Sequence, residues 1–292
     1  TVTITDANGC TLNQSIAINQ PTQLLATGST IAAKCGGSNG SATVNPSGGT
    51  SPYSFLWNDI NNQTTQTATN LLSQTYNVTV TDTNGCTFTI PLSVGTINGP
   101  SIDSIVGSDL SCAGSNDGTA AVTVSGGSLP YTYNWSNSAT NSSISGLPAG
   151  TYSVTVTDLY DCDTIRTITI NEPAAVLVNV SGTDTMCFGQ SGQLEAVTSG
   201  GIGLYTYSWD NALPAVDTVS ISNTVTTTYN VTVTDQNGCT GQDSVTVFVY
   251  SPLAVSASDT AICDGETISI SVNPSQGNGG PYSYLWSDNS TN

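Results

Sequence analysis

The chain has 292 residues, room for two or three ordinary domains. Only 8% of them are charged, and the balance is acidic: 2 Lys plus Arg against 20 Asp plus Glu, no His, net charge −18. That argues against a nucleic-acid partner, because nothing here neutralises phosphates. It also leaves no imidazole for general-base catalysis, while a patterned 37% apolar content argues against disorder.

The chain opens on TVTITDANGC (1–10), a strand running into an Asp-x-Asn-Gly turn and a Cys. The same block returns as TYNVTVTDTNGC (75–86), TYSVTVTDLYDC (151–162) and TYNVTVTDQNGC (228–239). A second block is a Cys followed by a short Gly-containing turn: CGGSNGSATV (35–44), CAGSNDGTAAV (112–122), CFGQSGQLEAV (187–197) and CDGETISISV (263–272). A third ends in Trp: PYSFLW (52–57), PYTYNW (130–135), LYTYSW (204–209) and PYSYLW (281–286), so that Trp57, Trp135, Trp209 and Trp286 follow one another at 78, 74 and 77 residues. Such a period marks a tandem array. Pro21, Pro100, Pro173 and Pro252 punctuate it. The expected organisation is a C-terminal remnant of a preceding repeat (1–20), three Ig-like repeats (21–99, 100–172 and 173–251) and the N-terminal part of a fourth (252–292), with the phase of the boundaries left open.

Each repeat reads as strands. Tyr131, Tyr133 and Trp135 alternate with Thr132 and Asn134, and Tyr152, Val154 and Val156 with Ser153, Thr155 and Thr157. No helical period is apparent. The segment SISGLPAGTYSVTV (143–156) has the form of a tyrosine corner, and a core Trp on an earlier strand fits an immunoglobulin-type sandwich. The fold expected is all-β: a tandem array of Ig-like β-sandwich repeats of about 75–80 residues, joined by short junctions into an elongated rod. Trp57, Trp135, Trp209, Trp286, Tyr76, Tyr152 and Tyr229 are assigned to its core, in preference to a sugar-binding platform.

The block PYTYNWSNSATNSSISGLPAGTYSVTVTDLYDC (130–162) resembles the SprB repeat, found in giant cell-surface adhesins of gliding bacteria of the Bacteroidota. Repeats 1 and 2 carry the likeness best. Repeat 3 and residues 252–292 look more like the PKD- and Ig-like domains of the same secreted proteins, and NTVTTTY (223–229) replaces GLPAGTY at the corner of repeat 3. The resemblance implies secretion, an outer-membrane-attached filament at the cell surface, and a part in adhesion or gliding. Its implied partners are neighbouring repeats of the same chain and surface polysaccharide or other filament proteins. A carbohydrate-binding array and an Ig-like spacer of a secreted enzyme are the alternatives. Neither a signal peptide nor a membrane segment is visible.

The eight cysteines fit no zinc spacing and read as disulfides of an oxidising compartment. Three regular pairings stay open. Within a repeat they are Cys35–Cys86, Cys112–Cys162 and Cys187–Cys239. Across a junction they are Cys10–Cys35, Cys86–Cys112, Cys162–Cys187 and Cys239–Cys263. Between stacked repeats they are Cys35–Cys162 and Cys112–Cys239. One pair per repeat favours the first, although an Ig strand order puts its two cysteines at opposite ends of the sandwich.

Catalytic residues, metal ligands and cofactors are not expected. The recurring Asp6, Asp82, Asp158 and Asp235 invite a calcium reading, but one carboxylate per turn falls short of six to eight oxygens, and hairpin capping is the stronger reading. Finally, Asp followed by Ser or Thr and an apolar residue resembles an O-glycosylation acceptor motif of Bacteroidota secreted proteins. It makes Ser104, Thr164, Thr185, Thr218, Ser244 and Thr260 candidate glycan sites.

Overall fold

The computed structural model describes residues 1–291, and no helix occurs among them. Residues 1–20 form a hairpin of β1 (Val2–Thr5) and β2 (Thr11–Gln14). Repeat 1 contributes β3 (Leu25–Ile31), β4 (Ala33–Lys34), β5 (Gly40–Ser47), β6 (Ser54–Trp57), β7 (Thr67–Leu71), β8 (Thr75–Thr81), β9 (Thr87–Ser93) and β10 (Thr96–Ile97). Repeat 2 contributes β11 (Pro100–Ser108), β12 (Gly118–Gly126), β13 (Thr132–Trp135), β14 (Ser143–Leu147), β15 (Gly150–Thr157) and β16 (Asp163–Ile170). Repeat 3 contributes β17 (Leu177–Gly182), β18 (Thr185–Cys187), β19 (Ser191–Ser199), β20 (Thr206–Trp209), β21 (Thr218–Ser222), β22 (Thr227–Thr234) and β23 (Thr240–Tyr250), and the remainder holds β24 (Leu253–Ser256) and β25 (Asn273–Gln276). The chain packs as two compact units: Thr1–Val106 with Ala120–Ile144 and Tyr152–Ile168, and Gly107–Thr119 with Ser145–Thr151 and Thr169–Asn292.

Repeat 1 shows the plan. Sheet β3–β5–β7 and sheet β6–β8–β9 share one core. After β3 the chain steps across, and β4 runs parallel to β10, with Ala33 opposite Thr96 and Lys34 opposite Ile97. Repeat 3 repeats it: β17–β19–β21 on one side, β18–β23–β22–β20 on the other, with β18 parallel to β23 and Cys187 opposite Tyr250. This is the Ig-like strand order.

The period-two pattern accounts for the core. Tyr76, Val78 and Val80 of β8 point inward and Thr75, Asn77 and Thr79 outward. Trp57, Trp135 and Trp209 are buried on the neighbouring strand of the same sheet, and each indole N–H reaches a carbonyl: Thr65 O at 2.8 Å, Asn141 O at 2.8 Å and Val216 O at 2.9 Å. A buried indole without that partner would be costly. Tyr76, Tyr152 and Tyr229 are buried as expected. In repeat 1 the corner closes on the backbone: the Tyr76 hydroxyl accepts from Leu72 N (3.1 Å) and donates to Leu72 O (3.3 Å). In repeat 3, whose corner sequence differs, the Tyr229 hydroxyl donates instead to the Asn223 side chain at 2.6 Å.

Trp286 departs from expectation. It is half-buried, and residues 281–286 form no strand. The reason is local: the partner of a Trp strand is a TYNVTVT strand, and residues 252–292 contain none. Its would-be core is a groove of about 480 Å³ between Leu253, Val255, Tyr282, Tyr284 and Trp286.

Trp57→Ala or Trp209→Ala should therefore destabilise its sandwich by about 3–5 kcal/mol, as a cavity is opened in a closed core. Trp286→Ala should leave the denaturation midpoint close to wild type, and equal losses at all three sites would contradict this packing.

Candidate functional site at the repeat junctions

The recurring aspartate builds the last hairpin of each repeat. Asp82 Oδ1 accepts from Asn84 N (2.9 Å) and Cys86 N (2.8 Å), and Oδ2 accepts from Thr50 N (3.0 Å) on a neighbouring turn. Asp158 does the same with Tyr160 N, Cys162 N and Ser128 N, at 2.9, 3.0 and 3.0 Å. Asp235 does so with Asn237 N, Cys239 N and Ile202 N, at 2.9, 2.9 and 2.8 Å. The neighbouring turn is a Gly pair that sequence reasoning did not single out. At Gly49 and Gly201 φ is +61° and +63°, and a Cβ would lie 2.9 Å from the aspartate Oδ2, so only glycine fits.

All three carboxylates are buried. Burial by itself would raise their pKa values, but the backbone N–H donors outweigh it and hold each below the ordinary 3.8; Lys34 adds a favourable charge at Asp158. The shared donor set is thus an N–H cradle for a carboxylate. Among the described residues no group of three or more His, Cys, Asp or Glu gathers in metal-binding fashion.

The residue after each hairpin turn is the cysteine, and here the structure decides what the sequence left open. Cys35 is bonded to Cys162, with Cα atoms 5.2 Å apart, and Cys112 to Cys239, at 5.5 Å; both bonds span 127 residues. Each lies inside one of the two compact units. Of the three pairings, the stacked one forms. The within-repeat bonds favoured by counting do not, and neither do the junction bonds.

The physical reason is strand length. Cys35 N donates to Ile97 O at 2.9 Å, which fixes the first turn beside the far end of the last strands, whereas Cys86 precedes their near end. Eleven extended residues separate these ends by roughly 30 Å, far beyond disulfide reach. Repeat 2 starts at Pro100, three residues after Ile97, and its last hairpin lies at that leading end: a Cβ on Gly99 would sit 2.9 Å from Cys162 Cβ. The trailing end of one repeat thus meets the last hairpin of the next.

Other contacts accompany the bonds. Lys34 Nζ lies 4.8 Å from the centre of the Tyr160 ring, a cation–π contact across the first junction. Asn237 donates to Ser111 O at 3.3 Å across the second. The Ser111 side chain, then the Ser115 hydroxyl and Ser111 N, donate to Asp117, which holds its pKa down at about 2 and ties up the Cys112 turn. Each disulfide closes a 127-residue loop, for which chain entropy gives about 5 kcal/mol of stabilisation.

Cys10, Cys86, Cys187 and Cys263, also assigned to disulfides from the sequence, are exposed thiols in this structure. Of the candidate glycan sites, Thr185, Thr218, Ser244 and Thr260 are exposed; Ser104 and Thr164 are half-buried on strands, Ser104 sharing a hydrogen bond with Thr123 at 2.7 Å.

The depressed aspartate pKa values set a direction. Their contribution to stability is complete above 3.8 and is lost as pH falls through the lower folded-state values. Acid titration of the melting temperature should show a drop beginning below about pH 4. Asp82→Asn, whose amide would oppose Thr50 N–H, should melt lower at neutral pH and have a shallower acid limb. An unchanged limb would argue against the cradle.

Comparison with known proteins follows the same repeat phase. The SprB repeat profile matches residues 33–62, 104–140, 178–213 and 261–291, each stretch taking in a first-turn cysteine and the recurring Trp. It thus includes repeat 3 and the last fragment, for which the sequence resemblance pointed rather to PKD- and Ig-like relatives. Comparison with curated protein sequences gives no significant match. Among solved structures the chain is similar to the N-terminal eight Ig domains of Down Syndrome Cell Adhesion Molecule isoform 1.30.30 (14% identity, TM-score 0.36, 85% of this chain and 43% of that one). It is also similar to Sidekick-1 immunoglobulin domains 1–5 (11%, 0.32, 80% and 60%), so it spans less than two thirds of either. Families of this kind are typically non-enzymatic. The matched blocks, their even spacing and the Ig-like strand order make this chain a SprB-type, Ig-like repeat region.

Proposed function

We propose that this chain is a load-bearing segment of a secreted cell-surface adhesin, serving attachment or gliding as structural stalk and exposed surface rather than as an enzyme. The observation that carries the reading is the covalent staple from each repeat to the next within a run of SprB repeats. Disulfides belong to oxidising compartments, and among the described residues no helix is long and apolar enough to cross a membrane. The alternative of a carbohydrate-binding array loses its platform, because Trp57, Trp135 and Trp209 are spent on the core. The aspartates that invited calcium are engaged by backbone N–H groups, so calcium should leave the melting temperature unchanged; an upward shift on titration would reopen the metal reading.

Staples of this topology limit how far a chain can extend. The backbone between Cys35 and Cys239 runs 204 residues, but force entering at Cys35 crosses to Cys162, runs back 50 residues to Cys112 and crosses to Cys239. At about 3.4 Å per extended residue the available length falls from about 70 nm to about 17 nm. Single-molecule pulling between these points should give the short value in oxidising buffer and the long one after reduction. Antibody against residues 21–251 should label intact source cells and impair their attachment or gliding; labelling only after permeabilisation would overturn the surface assignment.

A further inference from the structure

The four unbonded cysteines are of two kinds. Cys10 and Cys86 are hairpin cysteines: in each the backbone N–H donates to the capping aspartate, at 2.9 Å from Asp6 and 2.8 Å from Asp82, as Cys162 and Cys239 do to theirs. Cys187 and Cys263 are first-turn cysteines: their carbonyls accept from Gln190 N and Glu266 N at 3.1 Å, as that of Cys112 does from Ser115 N at 3.1 Å. Both disulfides join a first-turn cysteine to a hairpin cysteine of the following repeat, 127 residues on.

The surroundings of Cys86 match those of the bonded Cys239. At Cys239 the seat is made by Val176, Gly238 and Thr240, and Cys112 with Ala113 sits against it. In repeat 1 the equivalent residues are Leu24, Gly85 and Thr87. The equivalence is structural, since Gly49 lies against Leu24 and Asp82 as Gly201 lies against Val176 and Asp235. Around Cys86, Leu24 and Thr87 line a groove of about 460 Å³. At the other end Cys187 opens on a groove of about 250 Å³ with Phe188, Tyr250 and Leu253. In repeat 2 the residue equivalent to Cys187, Cys112, meets a hairpin cysteine.

We propose that the groove at Cys86 is the docking seat for the Cys-x-Gly first turn of another repeat of this kind: the one preceding residue 21 in the array, whose closing hairpin is residues 1–20. Cys187 is the matching half, offered to the last hairpin of the repeat that residues 252–292 begin. Every repeat then carries one outgoing and one incoming cysteine, and the staple runs on along the array, each new S–S bond forming by thiol–disulfide exchange with a small-molecule disulfide oxidant such as oxidised glutathione, which takes the two electrons and two protons and leaves as two thiols. The occupant follows from continuity with the two junctions already formed, in which the same seat holds the same turn. The proposal rests on the array and not on its cellular role, so it stands or falls on thiol chemistry in vitro, whatever the surface labelling shows.

The test extends the chain by one repeat. Residues 1–20 are replaced by a copy of residues 100–172, and the oxidised protein is alkylated and mapped without reduction. Cys86 should bond to the copy's cysteine equivalent to Cys112, and its alkylation should fall at least tenfold. With that cysteine of the copy changed, Cys112→Ser, Cys86 should again be fully alkylated. A second chain, with residues 252–292 replaced by the same copy, should bond Cys187 to the cysteine equivalent to Cys162, which provides a reading should the first chain fail to fold. Full alkylation of Cys86 or Cys187 in a cooperatively melting extended chain, or bonding to any other cysteine, would overturn the proposal.

Discussion

Three backbone N–H groups converge on one buried carboxylate in every repeat, and much else follows from that convergence. Asp82, Asp158 and Asp235 each accept two bonds from their own hairpin and one from the Gly-Gly turn of the neighbouring connection. A short, mobile hairpin tip becomes a fixed platform. The cysteine N–H is one of the three donors, so the cap that shapes the turn also aims the thiol. Without it, the Cα separations of 5.2 and 5.5 Å at the staples would have to be found by a loop free to wander.

The staples suit the composition. A sandwich of under 80 residues buries a small core and is marginal by itself. With 2 basic side chains in the whole chain, ion-pair networks cannot supplement it. What remains is the Trp core, Thr–Thr pairs across strands such as Thr79–Thr89 at 3.0 Å and Thr228–Thr246 at 2.8 Å, and covalent closure of long loops. Because the closures run between repeats, no repeat in the middle of the array is stabilised alone. Each lends its last hairpin backward and its first turn forward, which couples neighbours more tightly than packing of successive repeats does.

Local features were legible to the residue. The alternation in TYNVTVT reports the two environments of β8 directly, and Asp-x-Asn-Gly names both the turn and its cap. The corner variation at NTVTTTY was legible as a departure of the loop, but not the new tyrosine partner, Asn223, that comes with it. Less visible was the Gly-Gly turn, since its need for glycine comes from a carboxylate some 33 residues away in sequence. Trp286 shows the limit from the other side: its motif matches the other three, but burial depends on a strand absent from residues 252–292.

The sequence by itself determined the period, the all-β repeat, the core aromatics and the capped hairpins, because each depends on residues close together or on a pattern repeated four times. Only the tertiary structure decided how the cysteines pair. Spacing along the chain treats all three schemes alike. Pairing depends on which end of a sandwich each turn occupies, and that is set by β4 joining β10 in parallel and by the length of the strands between. Those strands carry the within-repeat partners far apart and bring the first turn of one repeat to the hairpin of the next.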